Sequence, residues 1–252
     1  RAQPIPVATV GMDFGPYADW LFSQGICCDH LLRINHCYTA QTFITIDMDD
    51  NRMTAFHPGA MSFAHYNTLP ALPDVRVSIL AADGIEGMRL HALQLLEASI
   101  PFVFAPGDSM TQFDDTELFS FIEQAAWIVV TREHWHFMRQ RINLTPEQVA
   151  KRVDALIIIE DNQSALIYTQ EICYHIPQAP AAMYNDTTGC GDAFCAGLLY
   201  GLIKDIDWET TGRIATLMAS INVEYHGSQT YYVDLEDFKQ LFQHHFGYSL
   251  IV

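Results

Sequence analysis

The chain has 252 residues, half of them apolar, and its 30 acidic residues outnumber 13 basic ones, giving a formal net charge of −17. This charge argues against nucleic acid as a partner, because basic side chains supply most of the affinity for phosphate backbones. No segment reaches about 18 uninterrupted apolar residues, so the sequence predicts neither a membrane span nor a membrane partner. We expect one α/β domain over residues 1–252.

The six cysteines have neither zinc-site spacing nor the density of a disulfide scaffold. Idle thiols in a reducing cytoplasm are the simplest interpretation, so we expect a cytoplasmic protein, although the vicinal pair Cys27 and Cys28 leaves a redox role open. The eleven histidines show no helical i, i+4 zinc pair. The chain opens with Arg1 and not with Met, from which we expect an incomplete N-terminus.

The N-terminal third predicts a strand, a helix and a hairpin. These elements lie at 4–11, at 16–24, and at 38–46 with 53–56. Gly25 is a candidate for the left-handed residue that ends the helix. The acidic turn 47–51 between two β-rich runs is typical of a hairpin. An exposed meander and a cover over a binding site are both compatible with it.

The middle of the chain alternates strands with helices. The predicted strands are 75–81, 100–104, 127–130, 155–159 and 165–169, and the helices are 85–98, 115–126, 133–141 and one opening at Thr145-Pro146. Asp114 or Asp115 would cap the second of these helices. This alternation predicts a doubly wound, mostly parallel sheet flanked by helices. Ligands bind at the carboxyl ends of such strands, so the turns after 104 and 130 should converge with the loop 185–192.

That loop contains Gly189-Cys190-Gly191-Asp192, directly before the apolar run 193–203; further helices are predicted at 208–225 and 234–245. Small residues at a helix start leave the first backbone N–H groups open to an anion. A carboxylate in that first turn would repel phosphate, so its presence fits a base that takes a proton from a hydroxyl attacking the phosphate. The alternative is an ordinary cap or dipole partner.

Residues 186–194 resemble the C-terminal signature Asp-Thr-x-Gly-Ala-Gly-Asp of the ribokinase-like (PfkB) carbohydrate and nucleoside kinases, with Cys190 in place of Ala. The similarity extends along nearly the whole chain and implies a ribokinase-like fold in which 38–56 form a small β lid. It implies an anion hole made by the amides of Gly189, Cys190 and Gly191, with Asp192 as the catalytic base. It also implies an ATP site lined by Thr188, Asn222, Gly227 and Ser228.

Three short stretches, 13–17, 39–41 and 57–61, are similar to bacterial and archaeal adenosine-kinase-like members. The resemblance therefore implies transfer of the γ-phosphoryl group of ATP, with Mg²⁺, to a hydroxyl of a sugar or nucleoside, adenosine or ribose-like. The Gly-Gly substrate motif of the family and the substrate-binding Asp of its first strand are absent. A lid strand can pair between subunits, which leaves a homodimer open.

The family's Asn-x-x-Glu motif, whose Glu supports Mg²⁺ and phosphate, falls on Thr131-Arg132-Glu133-His134. Thr131 and His134 occupy the Asn and Glu positions. Glu133 lies one residue before the Glu position of the motif, so it could support Mg²⁺ only if the turn were shifted. Ala105-Pro106-Gly107 replaces the family's usual Asp-Pro-Gly.

The glycine-rich nucleotide turn falls on 159–164, which contains no glycine. Glu160 and Asp161 would then lie where the ATP phosphates pass, and like charge there disfavours phosphate. These departures favour a degenerate kinase that binds a sugar or nucleoside without turnover. The intact Gly-Cys-Gly-Asp favours an active enzyme.

Overall fold

The computed structural model describes residues 3–49, 52–71, 74–161 and 163–251. The strands are β1 (Ala8–Val10), β2 (Leu31–Arg33), β3 (Gln41–Ile46), β4 (Arg52–His57), β5 (Ser78–Ala81), β6 (Phe102–Ala105), β7 (Trp127–Thr131), β8 (Ala155–Ile159), β9 (Ala165–Tyr168) and β10 (Cys173–Ile176). The α-helices are α1 (Gly15–Ser23), α2 (Ile85–Glu97), α3 (Asp115–Gln124), α4 (Arg132–Ile142), α5 (Pro146–Ala150), α6 (Cys190–Ile203), α7 (Trp208–Val223) and α8 (Leu235–Phe246). Two 3-10 helices span Gly59–Tyr66 and Gly107–Gln112.

The main sheet has six strands in the order β10-β9-β8-β7-β6-β5. Strands β5 to β8 run parallel, whereas β9 pairs antiparallel with both β8 and β10. Strand β9 reverses direction because the connection 160–164 is far shorter than the dozen or so residues that a parallel crossover needs. The mostly parallel sheet predicted from the sequence is confirmed.

Helices cover both faces of this sheet because its central strands are apolar on both sides. Along β8, Leu156 and Ile158 join a core cluster with residues of α2, α3, α4 and α5. The alternate residues Ala155 and Ile157 join a second cluster with residues of α6 and α7. The period of two along a strand thus places two helical layers on opposite faces, which is the doubly wound arrangement.

Side-chain caps set several helix starts. Asp114 accepts a hydrogen bond from the Glu117 amide, and the Glu117 side chain accepts one from the Asp114 amide. Thr145 and Gln148 form the same reciprocal capping box, with Pro146 in the first turn. Of the two predicted cap residues for α3, Asp114 is therefore the one used, and the Thr145 cap is confirmed.

The structure departs from the sequence predictions mainly at short elements. The first strand covers only Ala8–Val10, and the predicted strand 75–81 begins at Ser78. Strands β2 and β10 and the two 3-10 helices were not predicted. Helix α7 ends at Val223, before the predicted end at Tyr225. Asp50 and Asn51 of the hairpin turn, and Asn162 of the glycine-free turn, lie outside the described residues.

Strands β3 and β4 form the predicted antiparallel hairpin, in register from Gln41 opposite His57 to Ile46 opposite Arg52. Both of its faces carry exposed apolar side chains, among them Phe43, Ile46 and Met53. The Asp13 carboxylate holds the chain entering β3. It accepts hydrogen bonds from the amide and hydroxyl of Thr39, both at 2.8 Å, and these bonds lower the pKa of Asp13.

Among the residues that the structure describes, no helix combines the length and the apolar character needed to cross a bilayer.

Candidate active site

Helix α6 begins at the carboxyl edge of the main sheet. Cys190 and Phe194 belong to the core cluster that also contains Ala105 and Ile159, the last residues of β6 and β8. Farther along, α6 lies very close to α7, because a Cβ at Gly197 would lie 2.7 Å from the Ala215 Cα. The site predicted from 189–192 is therefore carried by a helix packed on the sheet.

Gly189 precedes α6 with φ of +82°, a left-handed conformation that glycine adopts without strain. The first helical N–H groups point away from the helix body. The Gly191 and Asp192 amides have no backbone acceptor among the described residues, whereas the Cys190 amide donates to the Thr187 carbonyl at 3.2 Å. The sequence prediction counted the Cys190 amide among the open donors. The structure instead leaves the amides of Gly189, Gly191 and Asp192 without an acceptor among the described residues, because the tight turn at 187–190 already engages the Cys190 amide.

The Asp192 side chain lies in the first turn of α6 and is exposed. Within the part of the chain that the structure describes, no hydrogen bond or ion pair holds its carboxylate. Neighbouring protein atoms still remove part of its hydration, and this desolvation raises the pKa of Asp192 above its ordinary value. A cap or a salt-bridge partner would show a bonded oxygen, so the geometry favours a carboxylate available to a ligand.

Asp186 fixes the loop in front of α6. Its two carboxylate oxygens accept hydrogen bonds from the Gly227 amide and the Thr188 amide, each at 2.9 Å. These bonds, the one from Gly227 contributing most, lower the pKa of Asp186 to about 2. The carboxylate thus joins the loop before α6 to the loop after α7.

Asn222 of α7 lies fully buried beneath the same loop. Its Nδ2 donates to the Thr188 carbonyl at 2.8 Å and approaches the Cys190 Sγ at 3.5 Å. Its Oδ1 is buried and has no hydrogen-bond partner among the described residues. Burial raises the pKa of the Cys190 thiol, which the Asn222 contact partly offsets. Asn222 therefore positions the turn at 188–190.

The loop after α7 completes this cluster. Gly227 has φ of +82° and donates to Asp186, and Ser228 lies directly against Gly189. The structure thus brings together all the predicted nucleotide-site residues of the C-terminal part of the chain, which are Thr188, Gly189, Cys190, Gly191, Asp192, Asn222, Gly227 and Ser228.

Glu133 lies elsewhere, in the first turn of α4 at the carboxyl end of β7. It is exposed, and no hydrogen bond or ion pair among the described residues joins it to the cluster around Gly189. Thr131 caps α4 by accepting from the His134 amide at 3.2 Å. The His134 Nε2 lies 3.1 Å from the Asp108 Oδ1, so a histidine with a nearby carboxylate stands where the family has glutamate.

Two tyrosines at the site were not predicted from the sequence. Burial raises the pKa of Tyr231, and the negative charge of Asp192 raises it further. Tyr17 of α1 donates a hydrogen bond of 2.5 Å to the Gln229 Oε1, next to Ser228. Tyr17 ends the family-like stretch 13–17 but was not named as a site residue, and Tyr231 lies in no motif that the sequence analysis recognised.

A cavity of about 340 Å³ lies at the carboxyl end of β5, between the end of the hairpin, the 3-10 helix 59–66 and the start of α2. Its lining includes Phe56, Met61, His65 and Ile85, but none of residues 186–192. In residues 3–49, 52–71, 74–161 and 163–251, no group of three or more His, Cys, Asp or Glu side chains is arranged to hold a metal ion.

Comparison with known proteins gives one consistent result. Residues 7–234 match the pfkB family carbohydrate kinase model. A nucleoside kinase from Methanocaldococcus jannaschii is 29% identical over 227 residues, covering 89% of this chain and 74% of that protein. A nucleoside kinase from Burkholderia thailandensis, solved in complex with inosine, is 36% identical with a TM-score of 0.92, covering 96% of this chain and 80% of the other. The structure of that Burkholderia protein with ADP-inosine has a TM-score of 0.91 at the same identity, covering 96% of this chain and 76% of the other.

Proposed function

Because this chain belongs to the pfkB carbohydrate kinase family and is a sugar or nucleoside kinase, we propose that it transfers the γ-phosphoryl group of ATP to a hydroxyl of a purine nucleoside. Adenosine is the first candidate from the short stretches at 13–17, 39–41 and 57–61. Inosine is the second, since it is bound in the similar Burkholderia structure.

One observation carries the assignment of the base. The Asp192 carboxylate has no partner among the described residues, and it stands beside the open amides of Gly191 and Asp192 at the start of α6. An acceptor hydroxyl within reach of that carboxylate would also lie next to an anion-binding helix end. Proton removal and charge stabilisation can therefore act on one reacting centre.

In the proposed reaction, Asp192 takes the proton of the attacking hydroxyl. The amides of Gly189, Gly191 and Asp192 donate toward the charge that develops on the transferred group. The two hydrogen bonds that Asp186 accepts and the one that Asn222 donates hold the turn in place, so these amides need no rearrangement. Thr188, Gly227 and Ser228 contact the nucleotide from the loops on either side.

The described residues fit a magnesium ion held mainly by the nucleotide. Mg²⁺ binds one or two carboxylates and otherwise phosphate oxygens and water, so a cluster of three protein ligands is not required. Exposed Glu133, with no ion pair among the described residues, is our candidate for such a carboxylate. When bound, Mg²⁺ would neutralise charge on the phosphates.

The hairpin β3–β4 is the proposed cover of the acceptor site. It adjoins the 340 Å³ cavity through Phe56, and this volume lies within the range of small-molecule sites. Asp13 fixes the start of β3 through Thr39. This pair of bonds anchors the base of the proposed cover beside the cavity.

The test is an ADP-release assay with adenosine, inosine, guanosine, ribose and fructose. Asp192→Asn should lower kcat by about 10² to 10⁴, the usual contribution of a general base. Asp205→Asn is the matched control, since Asp205 is an exposed carboxylate just beyond the other end of α6. If Asp192→Asn turns over at the wild-type rate, Asp192 is not the catalytic base.

The alternative function is binding without turnover. His134 in the glutamate position and the glycine-free turn around Glu160 favour it. A thermal-shift screen beside the assay separates the two functions, because a ligand at 100 times its Kd adds about 2.7 kcal/mol of stability. A large shift with a nucleoside and no ADP release would support this alternative.

A further inference from the structure

Arg132 and Glu160 face each other across two neighbouring strands. Thr131 ends β7, Ile159 ends β8, and these two residues are direct partners in the parallel pair. Arg132 and Glu160 are the next residues of each chain segment, and their side chains form an ion pair. The pair therefore stands at the carboxyl edge of the sheet, where parallel sheets bind ligands.

The two partners differ in exposure. The Glu160 side chain is only 10% exposed, whereas that of Arg132 is 60% exposed. A carboxylate with so little access to water requires a compensating charge. The Arg132 guanidinium supplies it and extends outward, where its Nε also lies 3.9 Å from the Asp161 Oδ2.

The surrounding site is rich in negative charge. Asp192 and Asp186 stand at the start of α6 and in the loop before it, and Asp108 is fully exposed beside His134. A triphosphate would have to approach this edge against carboxylates that repel it. Uncompensated charge at Glu160 would add to that repulsion, because the desolvated interior screens charges weakly.

We propose that Arg132 is a positioning residue for the nucleotide, which neutralises Glu160 so that a triphosphate can reach the start of α6. This inference rests on the proposed kinase function. It assigns to Arg132 no contact with the phosphates. Arg132 would thereby offset the charge of Glu160, which lies in the segment 159–164 where the family has a glycine-rich turn.

The experiment compares Arg132→Gln, Glu160→Gln and the double variant. Arg132→Gln should raise the KM for ATP about tenfold, with little change in the KM for the nucleoside, because a partly buried carboxylate then faces the triphosphate. Glu160→Gln should not raise the KM for ATP. The double variant should return to within about threefold of the wild-type value, since two matched removals leave no excess charge.

Two further variants control for charge and folding. Arg152 forms an ion pair with Glu123 at 2.9 Å and lies just before β8, at the opposite edge of the sheet. Arg152→Gln should therefore leave the KM for ATP unchanged. Arg132→Lys keeps the charge and should stay within about threefold of the wild type. Circular dichroism and thermal unfolding establish that each variant is folded.

Three outcomes would overturn the proposal: an unchanged KM for ATP in Arg132→Gln, a double variant as impaired as Arg132→Gln, or an equal loss in Arg152→Gln. The second outcome would mean that Arg132 contacts phosphate directly. If the wild type releases no ADP with any acceptor, the kinase proposal fails. Calorimetric Kd values for ATP on the same variants then decide the role of Arg132.

Discussion

The backbone of Gly189 lies directly against Ser228. A Cβ added at position 189 would lie 2.4 Å from the Ser228 Cβ and 2.7 Å from its Cα, distances that real Cβ atoms do not tolerate. The turn before α6 therefore packs closely against the loop after α7. The two loops must therefore keep their relative position for the proposed anion-binding end of α6 to stay open.

Gly189→Ala should damage both folding and activity. The new side chain meets Ser228 backbone and side-chain atoms, and φ of +82° strains any L-residue, so we expect a loss of about 2–4 kcal/mol in the free energy of unfolding. Gly191→Ala is the matched variant, because a Cβ there meets no atom within 4 Å. It should retain stability and lose turnover, since its methyl group would enter the space proposed for the phosphoryl group. Denaturant unfolding and ADP release measure the two effects, and equal stability of both alanine variants would contradict this account.

The pH profile of turnover should report Asp192. Desolvation raises its pKa, so kcat/KM should fall with decreasing pH at a point above the 3.8 of an ordinary aspartate. A raised pKa also means that the folded state binds this proton more tightly than the unfolded state does. The charged group therefore opposes folding at neutral pH, and Asp192→Asn should unfold at the same or a higher temperature than the wild type. An acidic limb that persists in residual Asp192→Asn activity would assign the titration to another group.

Asp186→Asn should weaken the site and alter the acid stability. The pKa of Asp186 falls from 3.8 to about 2 in the folded state, so its contribution is present above about pH 3.8 and is lost as the pH falls through about 2. The difference in unfolding temperature between wild type and Asp186→Asn should therefore be largest near neutrality and vanish toward pH 2. An asparagine can keep only one of the two accepted amide bonds, so kcat/KM should fall about tenfold to a hundredfold, below the loss of a whole anion-hole donor.

The control for that variant is Asp29→Asn, an exposed carboxylate with no ion pair in the described part of the chain. It should leave both the acid stability and the turnover unchanged. If the difference in unfolding temperature between wild type and Asp186→Asn is constant from neutrality to pH 2, the charge of the carboxylate is not what holds the loop.

Local patterns predicted the core elements well. The apolar run 155–159 was predicted with the bounds that β8 has, and Thr145-Pro146 marked the start of α5. Strands β2 and β10 were not predicted, and in the structure they pair with β1 and β9 respectively. The two 3-10 helices directly follow Pro58 and Pro106, in segments that the sequence analysis treated as connections.

The sequence could group the residues of the candidate site that are adjacent in the chain, but not those that only the fold brings together. Gly189 to Asp192 form a continuous motif. The bond between Asp186 and Gly227, and the pair of Arg132 with Glu160, depend on loop packing and strand register. The engaged Cys190 amide depends on the local turn angles, which residue types alone do not specify.

The hydrogen bond from Tyr17 to Gln229 joins residues that are 212 positions apart. Such a contact requires closure of nearly the whole polypeptide, which is entropically unfavourable and slow compared with helix formation. During refolding, secondary structure should therefore return before enzymatic activity does. The chain becomes competent for chemistry only once its beginning and its last third have met.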